Sequence, residues 1–98
     1  DVPIIGYGAC ATGTVLINLL DIGNQLSFLV DDNQSRVNTL SPNYYHPILS
    51  RESIESLNEA VIIILAWRHA DLILKRLDYL PRSRFKFIKP MPVPILSS

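Results

Sequence analysis

The run Val61-Ile62-Ile63-Ile64-Leu65 constrains this chain more than any other segment. A continuous aliphatic stretch leaves no face for water, so a strand built from it must be covered on both sides. That places it centrally in a parallel sheet with helices above and below. The first thirty residues supply a matching unit. Val2-Pro3-Ile4-Ile5 is apolar and reads as a buried first strand, and Gly6-Tyr7-Gly8 is a sharp turn. From Ala9 to Leu20 the residues Val15, Leu16, Leu19 and Leu20 recur at helical spacing. Asp21-Ile22-Gly23-Asn24 ends that helix, with Gly23 expected as a left-handed cap. Leu26 to Val30 is the next strand, stopped by Asp31-Asp32-Asn33. One βαβ unit therefore closes within about thirty residues, and a right-handed crossover makes its strands parallel neighbours.

The stretch from Gln34 to Ser50 is expected to be irregular, because Ser41-Pro42-Asn43-Tyr44-Tyr45-His46-Pro47 is rich in turn formers and two prolines forbid a helix through it. Ser50 is a candidate cap for a short helix from Arg51 to about Asn58. A further helix is expected from about His69 to Tyr79, stopped by Pro81, and a strand over Phe85 to Ile88. The tail Pro90-Met91-Pro92-Val93-Pro94-Ile95 has proline at alternate positions and is expected as an edge strand or extended arm. The fold class that follows is α/β: a single Rossmann-like three-layer domain over residues 1–98 with a mostly parallel sheet.

Composition narrows the function classes. With 48% hydrophobic and 18% charged residues the chain can build a core, which argues against disorder. Nine basic and nine acidic residues cancel, so no electrostatic footprint for nucleic acid is expected. The basic cluster Arg82, Arg84, Lys86 and Lys89 alternates with Ser83, Phe85 and Phe87, as the solvent face of a strand does. The longest apolar run, Ala60 to Trp67, is far too short to span a bilayer. Cys10 is the only cysteine, which rules out an internal disulfide and fits a cytoplasmic location. The opening Asp1-Val2-Pro3, without an initiator methionine, suggests a piece of a longer protein.

The chemistry centres on Gly6-Tyr7-Gly8-Ala9-Cys10-Ala11, which matches the G-x-G-x-x-G/A turn between a strand and a helix. Gly6 is expected to permit a tight turn, Gly8 to let backbone approach a phosphate, and Ala11 to allow close helix packing. Amides at a helix start favour an anion. Gly13 keeps the first helical turn small, and Thr12 and Thr14 are available as phosphate donors or as caps. Asp31 and Asp32 end the second strand where an acid meets ribose hydroxyls in dinucleotide sites. Such glycine turns also serve simply to pack this fold. Cys10 has no base near it in sequence. His46 is either an acid–base group or ligand contact in its loop, or an ordinary surface residue. Trp67, Arg68 and His69 follow the aliphatic strand, and ligands of open α/β sheets bind beyond strand C-termini. No zinc spacing, P-loop or nucleophile elbow is present.

Three stretches together carry a family resemblance. The first is Ile5-Gly6-Tyr7-Gly8-Ala9 leading to Gly13. The second is Val30-Asp31 with Ser41-Pro42 and His46-Pro47-Ile48. The third is Ile64-Leu65-Ala66-Trp67 with Ala70-Asp71, closing on Lys89-Pro90-Met91-Pro92. The chain resembles the C-terminal domain of bacterial S-adenosylmethionine-dependent C-methyltransferases, including those acting on nucleotide-linked deoxysugars. The resemblance implies a parent protein whose other domains bind zinc and S-adenosylmethionine and carry out methyl transfer. This lobe would hold no cofactor and would be inactive alone. It would contact a nucleotide-linked sugar through Gly6, Tyr7, Gly8, Ala9, Thr12, Gly13, Asp31, His46, Trp67 and Arg68. Three positions depart from the family pattern. Thr12 stands where a lysine is usual, Arg68 where an asparagine follows the tryptophan, and Leu72 where a glutamate follows the aspartate. On that resemblance the missing lysine takes away an expected phosphate contact, Arg68 is the candidate to replace its charge, and a divergent or non-sugar substrate stays open.

Two other classes fit the residues. One is an NAD(P)- or nucleotide-binding module of an oxidoreductase or regulator, resting on the glycine turn and Asp31/Asp32. The other is a ligand-free scaffold that forms a homodimer through the proline-rich arm. Neither calls for a membrane or a nucleic-acid partner.

Overall fold

Two apolar stretches, Ile4–Tyr7 (β1) and Ala60–Ile64 (β4), lie side by side in parallel, with Ile4 opposite Val61 and Tyr7 opposite Ile64. The computed structural model describes residues 2–42 and 44–89, with the side chains of Ala11 and Thr12 left aside. Between and around these strands run α1 (Ala11–Leu20), β2 (Leu26–Val30), β3 (Ile48–Leu49), α2 (Glu52–Glu55), α3 (Ala70–Arg76) and β5 (Phe85–Ile88). The sheet has five strands, all parallel, in the order β3-β2-β1-β4-β5. This is the α/β Rossmann-like arrangement expected from the aliphatic run and the βαβ unit. No helix among the described residues is long and apolar enough to cross a membrane.

Alternation along each buried strand sends side chains to two separate cores. Ile5, Tyr7, Ile62, Ile64 and Phe85 pack beneath Ile54 of α2 and Ile73 of α3, with Leu77 just beyond that helix. Leu26, Leu29, Ile63 and Leu65 pack beneath Leu16 and Ile17 of α1. Because both faces of β4 are filled, its residues from Ile62 to Ile64 are buried. A strand inside a parallel sheet covered by helices on both faces hides side chains of either parity.

Several expectations need correction. The buried face of α1 is Leu16 and Ile17, whereas Val15, Leu19 and Leu20 are exposed, Leu19 at 76%. The left-handed residue that ends α1 is Asp21 (φ 54°), whose amide reaches back to Asn18. Gly23 instead sits under the Tyr44 ring, which fills the space a side chain would take. Gly6 is not in a turn but inside β1, where Leu65 and Leu29 occupy the place of its missing side chain. α2 is a single turn that stops before Asn58, and Arg51 rather than Ser50 stands at its cap. Ser56 bonds back to the Ser53 carbonyl at 2.9 Å, the local bonding by which serines end short helices. α3 begins after a 3₁₀ turn at Trp67–His69 and ends at Arg76, three residues before Tyr79. The stretch expected to be irregular contains β3, which pairs Ile48 with Leu29 and Leu49 with Val30. The proline-rich arm from Pro90 lies outside the described residues.

The two cores set a contrast in stability. Ile62→Ala, in a fully buried site, is expected to cost about 2–5 kcal/mol. Leu19→Ala, on the open face of α1, should stay within about 0.5 kcal/mol of the parent. Urea unfolding of the two variants side by side checks both, and equal losses would contradict the assignment of faces.

Candidate functional site

The strand order reverses between β1 and β4, so the connections leaving their C-terminal ends diverge to opposite faces of the sheet. A crevice must open there. The structure has a cleft of about 450 Å³ at this point. The β1 end supplies Tyr7, Gly8 and Cys10, the β2 end Asp31, Asp32 and Arg36, and the β4 end Ala66 to His69. Ile73 of α3 completes the wall.

The turn out of β1 is built around Gly8. Its amide donates to the Val30 carbonyl at 2.7 Å, tying β1 to the end of β2. The Tyr7 carbonyl accepts from the amides of Leu65 and Ala66 at 2.9 and 3.1 Å, tying β1 to the end of β4. Between these bonds Gly8 takes φ 111°, and a Cβ there would lie 2.6 Å from the Ala66 Cβ. Only glycine meets both demands. The helix follows so closely that a Cβ on Gly13 would lie 2.7 Å from the Gly8 carbonyl oxygen.

Asp31 fastens this turn. Its Oδ2 accepts from the Ala9 amide at 2.8 Å and from Arg36 at 3.2 Å, and its Oδ1 accepts from the Asn33 amide at 2.8 Å. The Asn33 contact is an Asx turn, which lets the chain leave β2 sharply. The neighbouring Asp32 accepts the Tyr7 hydroxyl, 2.9 Å from each of its oxygens, and an Arg76 guanidinium N–H at 2.8 Å. Burial, then donation to Asp32 and the negative charge of that carboxylate, hold the Tyr7 proton well above the ordinary tyrosine range. On the opposite wall the Arg68 guanidinium lies 5.3 Å from the centre of the Trp67 ring, within cation–π range.

The residues singled out from sequence thus divide. Tyr7, Gly8, Asp31, Trp67 and Arg68 share the cleft. Gly6 and Gly13 are packed under Leu65 and against the turn, and Ala9 contributes its amide to Asp31. The Thr12 side chain lies outside what the structure describes. His46 is elsewhere: it is buried, its Nε2 donates to the Gly23 carbonyl at 2.7 Å, and its ring stacks on Tyr44. It fastens its loop to the 3₁₀ turn Gly23–Gln25 that follows α1, and its Nδ1 has no partner among the described residues. Arg36 and Ile73 escaped sequence reasoning. The one available signal for Arg36 was an arginine shortly after a strand-ending aspartate, which has no periodicity to mark it.

Cys10 is half-buried at the cleft, and among the described residues no hydrogen bond joins it to a base. Among those residues no group of three or more His, Cys, Asp or Glu side chains is placed to hold a metal ion. The cleft brings the Trp67 ring and the guanidinium groups of Arg36 and Arg68 to one opening, beside Cys10 and His69.

Fold and site together define a Rossmann-like α/β domain with its open cleft at the topological switch point. The family model of the C-methyltransferase C-terminal domain matches residues 1–92, and the chain belongs to that family. A comparison with curated proteins gave no match.

Two outcomes test this geometry. Gly8→Ala is expected to cost roughly 1–3 kcal/mol through the backbone alone, read as a lower urea midpoint. The Tyr7 proton predicts a pH effect. An unfolded tyrosine ionises near pH 10, while the folded one keeps its proton, so this contribution is whole below about pH 10 and is lost as pH rises through the higher folded value. The stability gap between the parent and Tyr7→Phe should therefore narrow above about pH 10. A gap independent of pH would show that the fold holds the Tyr7 proton no more tightly than the unfolded chain does.

Proposed function

We propose that this domain is the substrate-holding lobe of an S-adenosylmethionine-dependent C-methyltransferase, and that its cleft binds a nucleotide-linked sugar. The observation that carries the reading is the cleft itself. Backbone at Gly8, the Trp67 face and the Arg68 guanidinium converge on one opening at the switch point of the sheet. An aromatic face suits a nucleobase or a sugar ring, and arginine suits a diphosphate. Gly8, Trp67 and Arg68 are the contacts proposed for the ligand, with Tyr7 and Asp31 shaping the wall around them. S-adenosylmethionine and zinc belong, on this reading, to other domains of the parent protein, in the cytoplasm. This lobe orients the acceptor and does not itself transfer the methyl group.

The nucleotide-module alternative has less support. An acid that reads a ribose diol must offer free oxygens, and those of Asp31 already accept from Ala9, Asn33 and Arg36. The scaffold alternative rests on the proline-rich arm, which lies outside the described residues, and leaves the cleft without a role.

Protein-observed NMR with thymidine-diphosphate glucose, NAD and S-adenosylmethionine discriminates the readings. Shifts at Gly8, Trp67 and Arg68 with the sugar nucleotide alone are expected. Shifts with NAD centred on Asp31 and Asp32 would favour the nucleotide module instead, and no response to any of the three would count against ligand binding by this lobe.

A further inference from the structure

Of the two charged side chains paired at the end of β2, the arginine is the more open to solvent at the cleft. The Asp31 side chain is only 11% exposed, its oxygens taken by the Ala9 amide, the Asn33 amide and Arg36. The Arg36 side chain is 43% exposed and lines the same cleft. Anything entering from solvent therefore meets the guanidinium before the carboxylate. A guanidinium carries five N–H groups, and among the described residues the structure gives the Arg36 guanidinium one hydrogen-bond partner, Asp31, through a single nitrogen at 3.2 Å. That bond steadies the fork and leaves most of its donors unspent. Arg68 enters from the β4 side, stacked on Trp67, and has no carboxylate partner among the described residues. The second aspartate is matched by Arg76 at 2.8 Å, so it does not cancel Arg36 or Arg68.

The geometry points to Arg36 as an anion-binding residue, paired with Arg68 across the Gly8 turn to grip the phosphate groups of the ligand. Asp31 is the positioning residue that holds Arg36 and the turn in register, and it does not read the ribose. This rests on the proposal that the cleft takes a nucleotide-linked sugar, and it adds which side chain holds the phosphates. Arginine on two walls suits a diphosphate better than a lone charge would, because planar forks bond phosphate oxygens two at a time.

The test is calorimetric titration of the chain with inorganic pyrophosphate and with thymidine diphosphate at low ionic strength. Arg36→Gln is expected to weaken both probes about 10- to 100-fold, the range for losing a charge-assisted contact. Arg82→Gln, which removes a remote surface arginine paired with Asp78, should leave both unchanged. Undiminished binding by Arg36→Gln, with an intact melting transition, overturns the assignment and leaves the cleft proposal standing. Failure of the unaltered chain to bind either probe overturns both. Should Arg36→Gln unfold, the guanidinium NMR signal of Arg36 in the unaltered chain decides. Its displacement by pyrophosphate supports the assignment, and its indifference while pyrophosphate binds refutes it.

Discussion

Everything at the working end of this domain depends on how β1 stops. Within three residues the chain gives its Gly8 amide to Val30, its Ala9 amide to Asp31 and its Tyr7 carbonyl to two amides beyond β4. Those bonds join the ends of three strands that are neighbours in the sheet but distant in sequence. A buried backbone group left unpaired costs about as much as a lost hydrogen bond. The turn therefore has little freedom: moving Gly8 would unmake contacts to β2 and β4 together. The positive φ at Gly8 is the local strain that this mutual bonding holds in place.

The knot is rigid because of what lies behind it. β1 and β4 are filled on both faces, one by α2 and α3, the other by α1, so neither strand can slide without exposing aliphatic surface. A one-residue slip in a strand exchanges its two faces, and here each face has its own complementary helix. Positioning thus passes from the two cores to the strand ends, and from there to the loops that carry Asp31, Trp67 and Arg68. The cleft sits on the part of the fold with the least latitude, which is where a binding surface loses least on ordering a ligand.

How much of this was legible beforehand follows from residue chemistry. The aliphatic run marked β4, and Phe85 to Ile88 marked β5 without error, since strand-forming residues there are bounded by turn formers. The glycine turn marked one wall of the cleft through Tyr7 and Gly8. β3 could not be seen, because two residues show no period. The buried face of α1 could not be chosen either: Ala11–Leu20 contains no charged residue, so hydrophobic spacing alone does not say which side meets the sheet. Asp31 was found by position, but its bonds could not be foreseen, since only the fold brings Ala9 and Arg36 to its oxygens. His46 looked chemical in its aromatic loop, and the fold uses it to tie that loop to Gly23.

Charge shows the same limit. The chain is neutral overall, which excluded a broad basic surface, but neutrality over 98 residues says nothing about one cleft. Around this opening Arg36, Arg68 and Arg76 stand against Asp31 and Asp32, a local excess of one positive charge. The pairs are asymmetric in a useful way. Asp31 is the more buried partner and Arg36 the more open one, so the field at the mouth is more positive than the sum of charges suggests. The resemblance read from the sequence implied a lysine where Thr12 stands, on the first turn of α1. Its absence would leave a phosphate site without a cation if that turn were the only source. Here two other loops each bring an arginine to the same opening, one braced by a buried aspartate and one by an indole face. An anion site needs positive charge held at a fixed place, not charge on a particular element, and this cleft meets that need from its flanks.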